Sequence, residues 1–285
     1  MKNYFFTDLA FEKNGKWNEP CIKITDHSYL HRNFSLQTDF SDRFVSPKII
    51  TIFTEKIWKI PYAEFDLLAS RIGEELSCLL QNILPPDTRH PPSVLVIGIG
   101  NREITSDALG PETLRNLTVI GRFSKEEKRG WRVFAIAPGV SGETGLDALE
   151  IVRGVVRETS PDVILAVDAL SAASGERLAA TVQISDGGIV PGSGIGNIRK
   201  GFTKETLGIP VIALGIPTVI RSATLVADAL TDCGMGHISD TLRKKLDHQM
   251  GYFVSPKESD LLLKSGALLL AAAIDTACLS VAGKG

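Results

Sequence analysis

Two uninterrupted apolar runs, Val94-Leu-Val-Ile-Gly98 and Val163-Ile-Leu-Ala-Val167, each lead into an aspartate: Asp107 nine residues on in the first case, Asp168 at once in the second. Val, Ile and Leu without polar alternation suit strands covered on both faces, as in a parallel sheet. In such sheets ligands bind in the crevice beyond the carboxyl ends of the strands. Two carboxylates delivered there from separate strands could share a proton and perform acid/base chemistry. Each aspartate also precedes a plausible helix, so each could equally be a helix N-cap.

The rest of the chain alternates in the same way. Ala63 to Leu84 has helical periodicity (Phe65, Leu68, Ile72, Leu76, Leu80) and stops before Pro85-Pro86. After strand 94–98 the pattern predicts a helix from about Pro111, strand 132–136, a helix over 144–158, and strands 163–167, 180–184 and 210–215. Helices near 222–231 and 257–280 follow. This order predicts an α/β fold, three layers (αβα) around a mainly parallel sheet, occupying residues 61–285. Residues 1–60 read differently: irregular structure and a few strands, including Lys48-Ile-Ile-Thr-Ile-Phe53, possible as a small antiparallel part built into one compact unit with the rest.

Charge and cysteine usage narrow the function. A formal net charge of −2 gives no electrostatic case for nucleic acid or an anionic membrane. The four cysteines, Cys21, Cys78, Cys233 and Cys278, form no CxxC and fit a reducing cytosol. The first residues, Met1 to Asp8, do not make a signal peptide. The apolar stretch Gly266 to Gly283 carries Asp275 between Lys264 and Lys284, which suits a buried helix better than a membrane span. The expectation is a soluble cytoplasmic protein.

One connection is unusual. Ser185 to Leu207 joins two strands with glycine at 187, 188, 192, 194, 196 and 201, and carries Arg199-Lys200. A loop of this length inside a compact domain is usually functional, and glycines let backbone approach a ligand closely. A surface linker is the alternative.

Several familiar sites are missing. Gly98-Ile-Gly100 follows a strand, but Glu103 stands where a dinucleotide loop needs its third glycine. Gly192-Ser-Gly-Ile-Gly196 lacks the GK[ST] of a phosphate loop, and there is neither GxSxG nor HExxH. Ser141 and Thr144 lie at a probable helix start, where capping explains them as well as ligand binding does.

A series of segments carries a family resemblance: Thr7-Asp-Leu-Ala-Phe-Glu12, Val96-Ile-Gly-Ile-Gly-Asn101 with Ser106-Asp-Ala-Leu-Gly-Pro111, Ala137-Pro-Gly-Val140, Val167-Asp-Ala-Leu170, Gln183-Ile-Ser-Asp186, Pro191-Gly-Ser-Gly-Ile-Gly-Asn197, Thr206-Leu-Gly-Ile-Pro-Val211 and Tyr252-Phe-Val-Ser-Pro256. In this order they resemble the germination proteases, endopeptidases that degrade small acid-soluble spore proteins in spore-forming Firmicutes. Ser106 stands where the family more often has proline, and the region before Val94 diverges.

The resemblance implies a phosphorylase/hydrolase-like fold, shared with hydrogenase-maturation endopeptidases, and a catalytic pair at Asp107 and Asp168. Those maturation enzymes place metal-binding carboxylates at the same two positions, but this chain has no histidine where they supply a further ligand. Two carboxylates alone make a poor transition-metal site, so no metal and no cofactor is expected, although magnesium or calcium could bind loosely. One aspartate would hold the attacking water as base while the other donates a proton; a metal-assisted peptidase using the same aspartates, or a non-catalytic anion- or peptide-binding protein, are the rivals. Asn101, Glu103, Asp186, Asn197, Arg199 and Lys200 are the further candidates for contact with substrate. The resemblance also implies a homotetramer in the forespore or spore core. Finally, Thr7 to Glu12 resembles the sequence such enzymes cut, predicting self-cleavage between Asp8 and Leu9 that removes a pro-segment, residues 1–8.

Overall fold

In the computed structural model the described residues are 22–24, 34–39, 49–84, 92–120, 131–172, 174–192, 200–234, 239, 241–242, 245–246 and 251–280. Among these described residues nine strands join one sheet: β1 (Ile22–Ile24), β2 (Phe34–Asp39), β3 (Ile49–Thr54), β4 (Ser93–Gly98), β5 (Arg132–Ile136), β6 (Val163–Ala172), β7 (Thr181–Ser185), β8 (Val211–Arg221) and β9 (Phe253–Val254). Their spatial order is β1-β2-β3-β7-β8-β6-β4-β5, with β9 against β8. The helices are α1 (Tyr62–Ile83), α2 (Leu109–Asn116), α3 (Ser141–Thr144), α4 (Ala148–Thr159), α5 (Lys204–Leu207), α6 (Ser222–Asp232) and α7 (Ser259–Ser280).

The sheet is mixed, with a parallel part and an antiparallel part. Strands β8, β6, β4 and β5 run parallel, whereas β1, β2, β3, β7 and β9 pair antiparallel with their neighbours. The turn from Ala172 to Thr181 is too short for the dozen or more residues a parallel crossover needs, so β7 must return antiparallel. The strand-prone run at 48–53 is β3, and its pairing with β7 carries the N-terminal meander into the same sheet.

Alternate residues of the central strands enter two separate cores. Val94, Val96, Val163, Leu165 and Val167 pack with α1 and α7, while Leu95, Ile97, Ile164 and Ala166 pack with α4 and α5. Burial on both faces is why these strands read as continuous apolar runs. Helix α1 forms because Leu68, Ile72, Leu76 and Leu80, all buried, recur every four residues on one stripe. Each such side chain contributes about 1.5–3 kcal/mol on burial. Helix α7 is long and apolar enough to cross a membrane by length and composition; here Leu262, Leu269, Leu270 and Ile274 are buried in the core beneath α1.

Three local expectations change. The helix read over 144–158 is two, because Gly145 turns left-handed (φ 70°) and ends α3, after which Asp147 caps α4 by accepting the N–H of Leu149 at 2.8 Å. Strand β6 continues to Ala172 and β8 to Arg221, both well past the ends that their apolar signals suggested. The long connection is pinched: Ile189 and Phe202 pair antiparallel through hydrogen bonds of 3.0 and 2.7 Å, and α5 follows the pair. Gly188 permits that neck, since its φ is +72° and a Cβ there would lie 2.2 Å from the Phe202 carbonyl oxygen.

Candidate active site

Asp168 is carried by the sheet itself. It follows Ile164 and Ala166 on the α4 side of β6, where the apolar core ends, and is 5% exposed. It is not at the end of its strand, as the sequence suggested, because β6 continues in register with β8 to Ala172. Its partner in β8 is Gly215, where a Cβ would lie 2.7 Å from the Asp168 carbonyl oxygen. The Asp168 Oδ1 accepts the N–H of Ala169 at 2.8 Å.

Asp107 arrives from β4 by a loop folded tightly on itself. Ile99 donates its N–H to the Val167 carbonyl at 2.8 Å, anchoring the loop to β6 one residue before Asp168. The N–H of Asn101 donates to Asp107 Oδ2 at 2.7 Å. Gly100 makes this closure possible: its φ is +118°, and a Cβ there would lie 1.9 Å from the Asp107 carbonyl oxygen.

Both carboxylates line one cavity of about 340 Å³. Its walls include Ile99, Ile104, Val140, Phe202, Val219 and Phe253, with Ser106, Ser171, Asp147 and Lys200 as polar members. A cavity of this size can hold a few side chains of a peptide. The two apolar runs therefore lead Asp107, in the loop beyond β4, and Asp168, within the neighbouring parallel strand β6, to one cavity. Neither occupies a helix N-cap position: Ala108 holds that place before α2, and Asp168 lies inside β6.

The other candidates distribute unevenly. Lys200 lines the cavity. Asn101 is absent from the lining and meets Asp107 through its backbone. Glu103 is exposed and belongs to a neighbouring hollow of about 440 Å³ with Arg102 and Arg115, so it stands apart from the aspartate pair. Asp186 follows β7 directly and is not a lining residue. Asn197, Arg199, Asp8 and Leu9 lie outside the described residues, as do all five histidines. Ser141 and Thr144 form the short exposed α3, where Thr144 Oγ1 is within 3.3 Å of the Val140 carbonyl. Among the described residues no group of three or more His, Cys, Asp or Glu side chains is arranged to hold a metal ion.

Sequence reasoning missed Asp147, Phe202 and Phe253. Asp147 was detectable as the polar residue just before an amphipathic helix. Phe253 lies in the Tyr252–Pro256 segment, and its ring is held by the Arg221 guanidinium 5.4 Å from the centroid.

Comparison with known proteins gives a consistent result. Relatives include the germination proteases of Halalkalibacterium halodurans, 49% identical over 156 residues (53% of this chain, 42% of that protein), and of Bacillus subtilis, 44% identical over 163 residues (55% and 44%). The germination protease of Priestia megaterium is 46% identical over 163 residues (55% and 43%). The chain spans about half the length of the curated relatives it matches. The family model for germination protease matches residues 45–251, which contain both aspartates and the whole parallel part of the sheet, and the chain belongs to the germination protease family.

Proposed function

We propose that this protein is an endopeptidase that starts the breakdown of small acid-soluble spore proteins during germination, using Asp107 and Asp168 as an acid/base pair. The observation that carries the reading is that Asp107, after β4, and Asp168, within the adjacent parallel strand β6, line one cavity, in a chain of the germination protease family. One carboxylate, ionised, holds the attacking water; the other, protonated, donates to the carbonyl oxygen or leaving amine.

Substrate selection follows from the same walls. Lys200 favours an acidic residue beside the scissile bond, and Ile104, Phe202 and Phe253 favour an apolar one next to it. Asp8-Leu9 has that pattern, so self-cleavage there, assembly as a homotetramer and residence in the spore core belong to the same proposal. The two-cored sheet supports a three-layer αβα reading of the fold.

The test is cleavage of a purified small acid-soluble spore protein by the parent, Asp107→Asn and Asp168→Asn, each with and without EDTA. Both variants are expected to lose at least a hundredfold in kcat, in line with the ~10²–10⁴ that a positioned acid or base supplies, while the parent keeps its rate in chelator. Full activity in either variant overturns the pair. Activity lost in EDTA and restored by a divalent ion favours metal-assisted hydrolysis at the same carboxylates.

A further inference from the structure

Resting on the peptidase reading above, we infer that Asn101 is a positioning residue for Asp107, acting from behind the cavity through its own turn. Its backbone N–H donates to Asp107 Oδ2 at 2.7 Å, and a bond to one carboxylate oxygen restrains rotation of the group about Cβ–Cγ. The direction of that N–H depends on how residues 101–104 turn. The Asn101 side chain fixes the turn, because its Oδ1 accepts the N–H of Glu103 at 2.8 Å, closing an Asx turn.

The remaining links run in the same ring. The Asn101 carbonyl accepts the N–H of Ile104 at 3.2 Å, and the Ile104 carbonyl accepts the N–H of Asp107 at 2.8 Å. The path from the Asn101 side chain to the Asp107 carboxylate is therefore short, continuous and local. It is also selective for residue type: few side chains besides Asn, Asp, Ser and Thr can bond a backbone N–H two residues on. Truncating the side chain leaves the backbone donor in place but frees it to swing. That damages the alignment of Asp107, which acts in the transition state, and spares the walls that bind substrate.

The experiment uses the full chain and small acid-soluble spore protein, comparing the parent with Asn101→Ala, Asn101→Ser and Asp107→Asn. Asn101→Ala is expected to lower kcat on the order of 10- to 100-fold with KM unchanged and the unfolding midpoint close to that of the parent. Asn101→Ser, whose hydroxyl closes the same turn more weakly, recovers part of the loss. Parental turnover in Asn101→Ala beside an inactive Asp107→Asn overturns the inference and leaves the peptidase reading standing. A loss that serine does not recover, or one that falls on KM, overturns it as well. Full activity in Asp107→Asn removes the reading beneath it, a result distinct from either of these.

Discussion

Thr218, within β8, donates its hydroxyl proton to the carbonyl of Ser106 at 2.5 Å, tying the sheet to the residue just before Asp107. Thr218 is 2% exposed, and its own carbonyl accepts the Ser255 hydroxyl at 3.0 Å. Replacing it by the isosteric valine keeps the packing and removes the donor. Thr218→Val is expected to cost about 1–3 kcal/mol of stability and to lower turnover, read by thermal unfolding and by cleavage rate. An unchanged melting temperature would show that the bond is dispensable.

Gly110 sits where α2 begins against the central strands. A Cβ there would lie 2.4 Å from the Ile99 carbonyl oxygen and 2.5 Å from both the Ile99 nitrogen and the Val167 carbonyl oxygen. All three are backbone atoms held by the sheet and the site loop, so they cannot yield cheaply. Gly110→Ala is expected to destabilise by about 3 kcal/mol, at the upper end of ordinary overpacking. Gly142→Ala, where nothing lies within 4 Å, is expected to stay within about 0.5 kcal/mol of the parent. Denaturant unfolding of the two variants side by side checks the contrast.

A pH dependence is built in away from the site. Burial pushes the Asp228 carboxyl above the usual carboxylate range, against the pull of the Gly175 N–H that it accepts at 3.0 Å and with repulsion from Asp232 and Glu176 adding to the rise. In the unfolded chain the group ionises near ~3.9. Between that value and its raised value in the fold, the unfolded state releases the proton first, so stability falls as pH rises through the window. Asp228→Asn keeps an acceptor for Gly175 without the charge. It is expected to melt higher than the parent at neutral pH, with the two curves converging on acidification below the window. Equal melting temperatures at pH 7 would contradict this.

Lys200 supplies positive charge to the cavity wall. On the proposed reading, Lys200→Ala lowers kcat/KM for peptides with an acidic residue before the scissile bond by a few-fold, corresponding to the ~0.2–1 kcal/mol of an exposed ion pair. Peptides with glutamine at that position are unaffected. Equal losses on both peptides would mean that the lysine shapes the cavity rather than reading charge.

The central strands and the aspartate pair were legible because burial on both faces leaves a plain signature. Val94–Gly98 and Val163–Val167 carry no polar alternation, and Asp107 and Asp168 follow them in the chain. What stayed hidden was set by partners distant in sequence. The continuation of β6 past Asp168 depends on pairing with β8, where a register shift between Leu170 and Ser171 absorbs an irregularity. The direction of β7 depends on the length of a turn, and the split at Gly145 on a single left-handed φ. Phe202 and Phe253 join the site only because the neck and β9 fold back onto it, a long-range event with no local periodicity.

The neck at Ile189 and Phe202 has a consequence for how such a protein can change. Because the chain pairs with itself at these two residues, the ends of the connection after β7 and before α5 are fixed whatever length of chain lies between them, and a doubling of that length costs only about 0.6 kcal/mol in closure entropy.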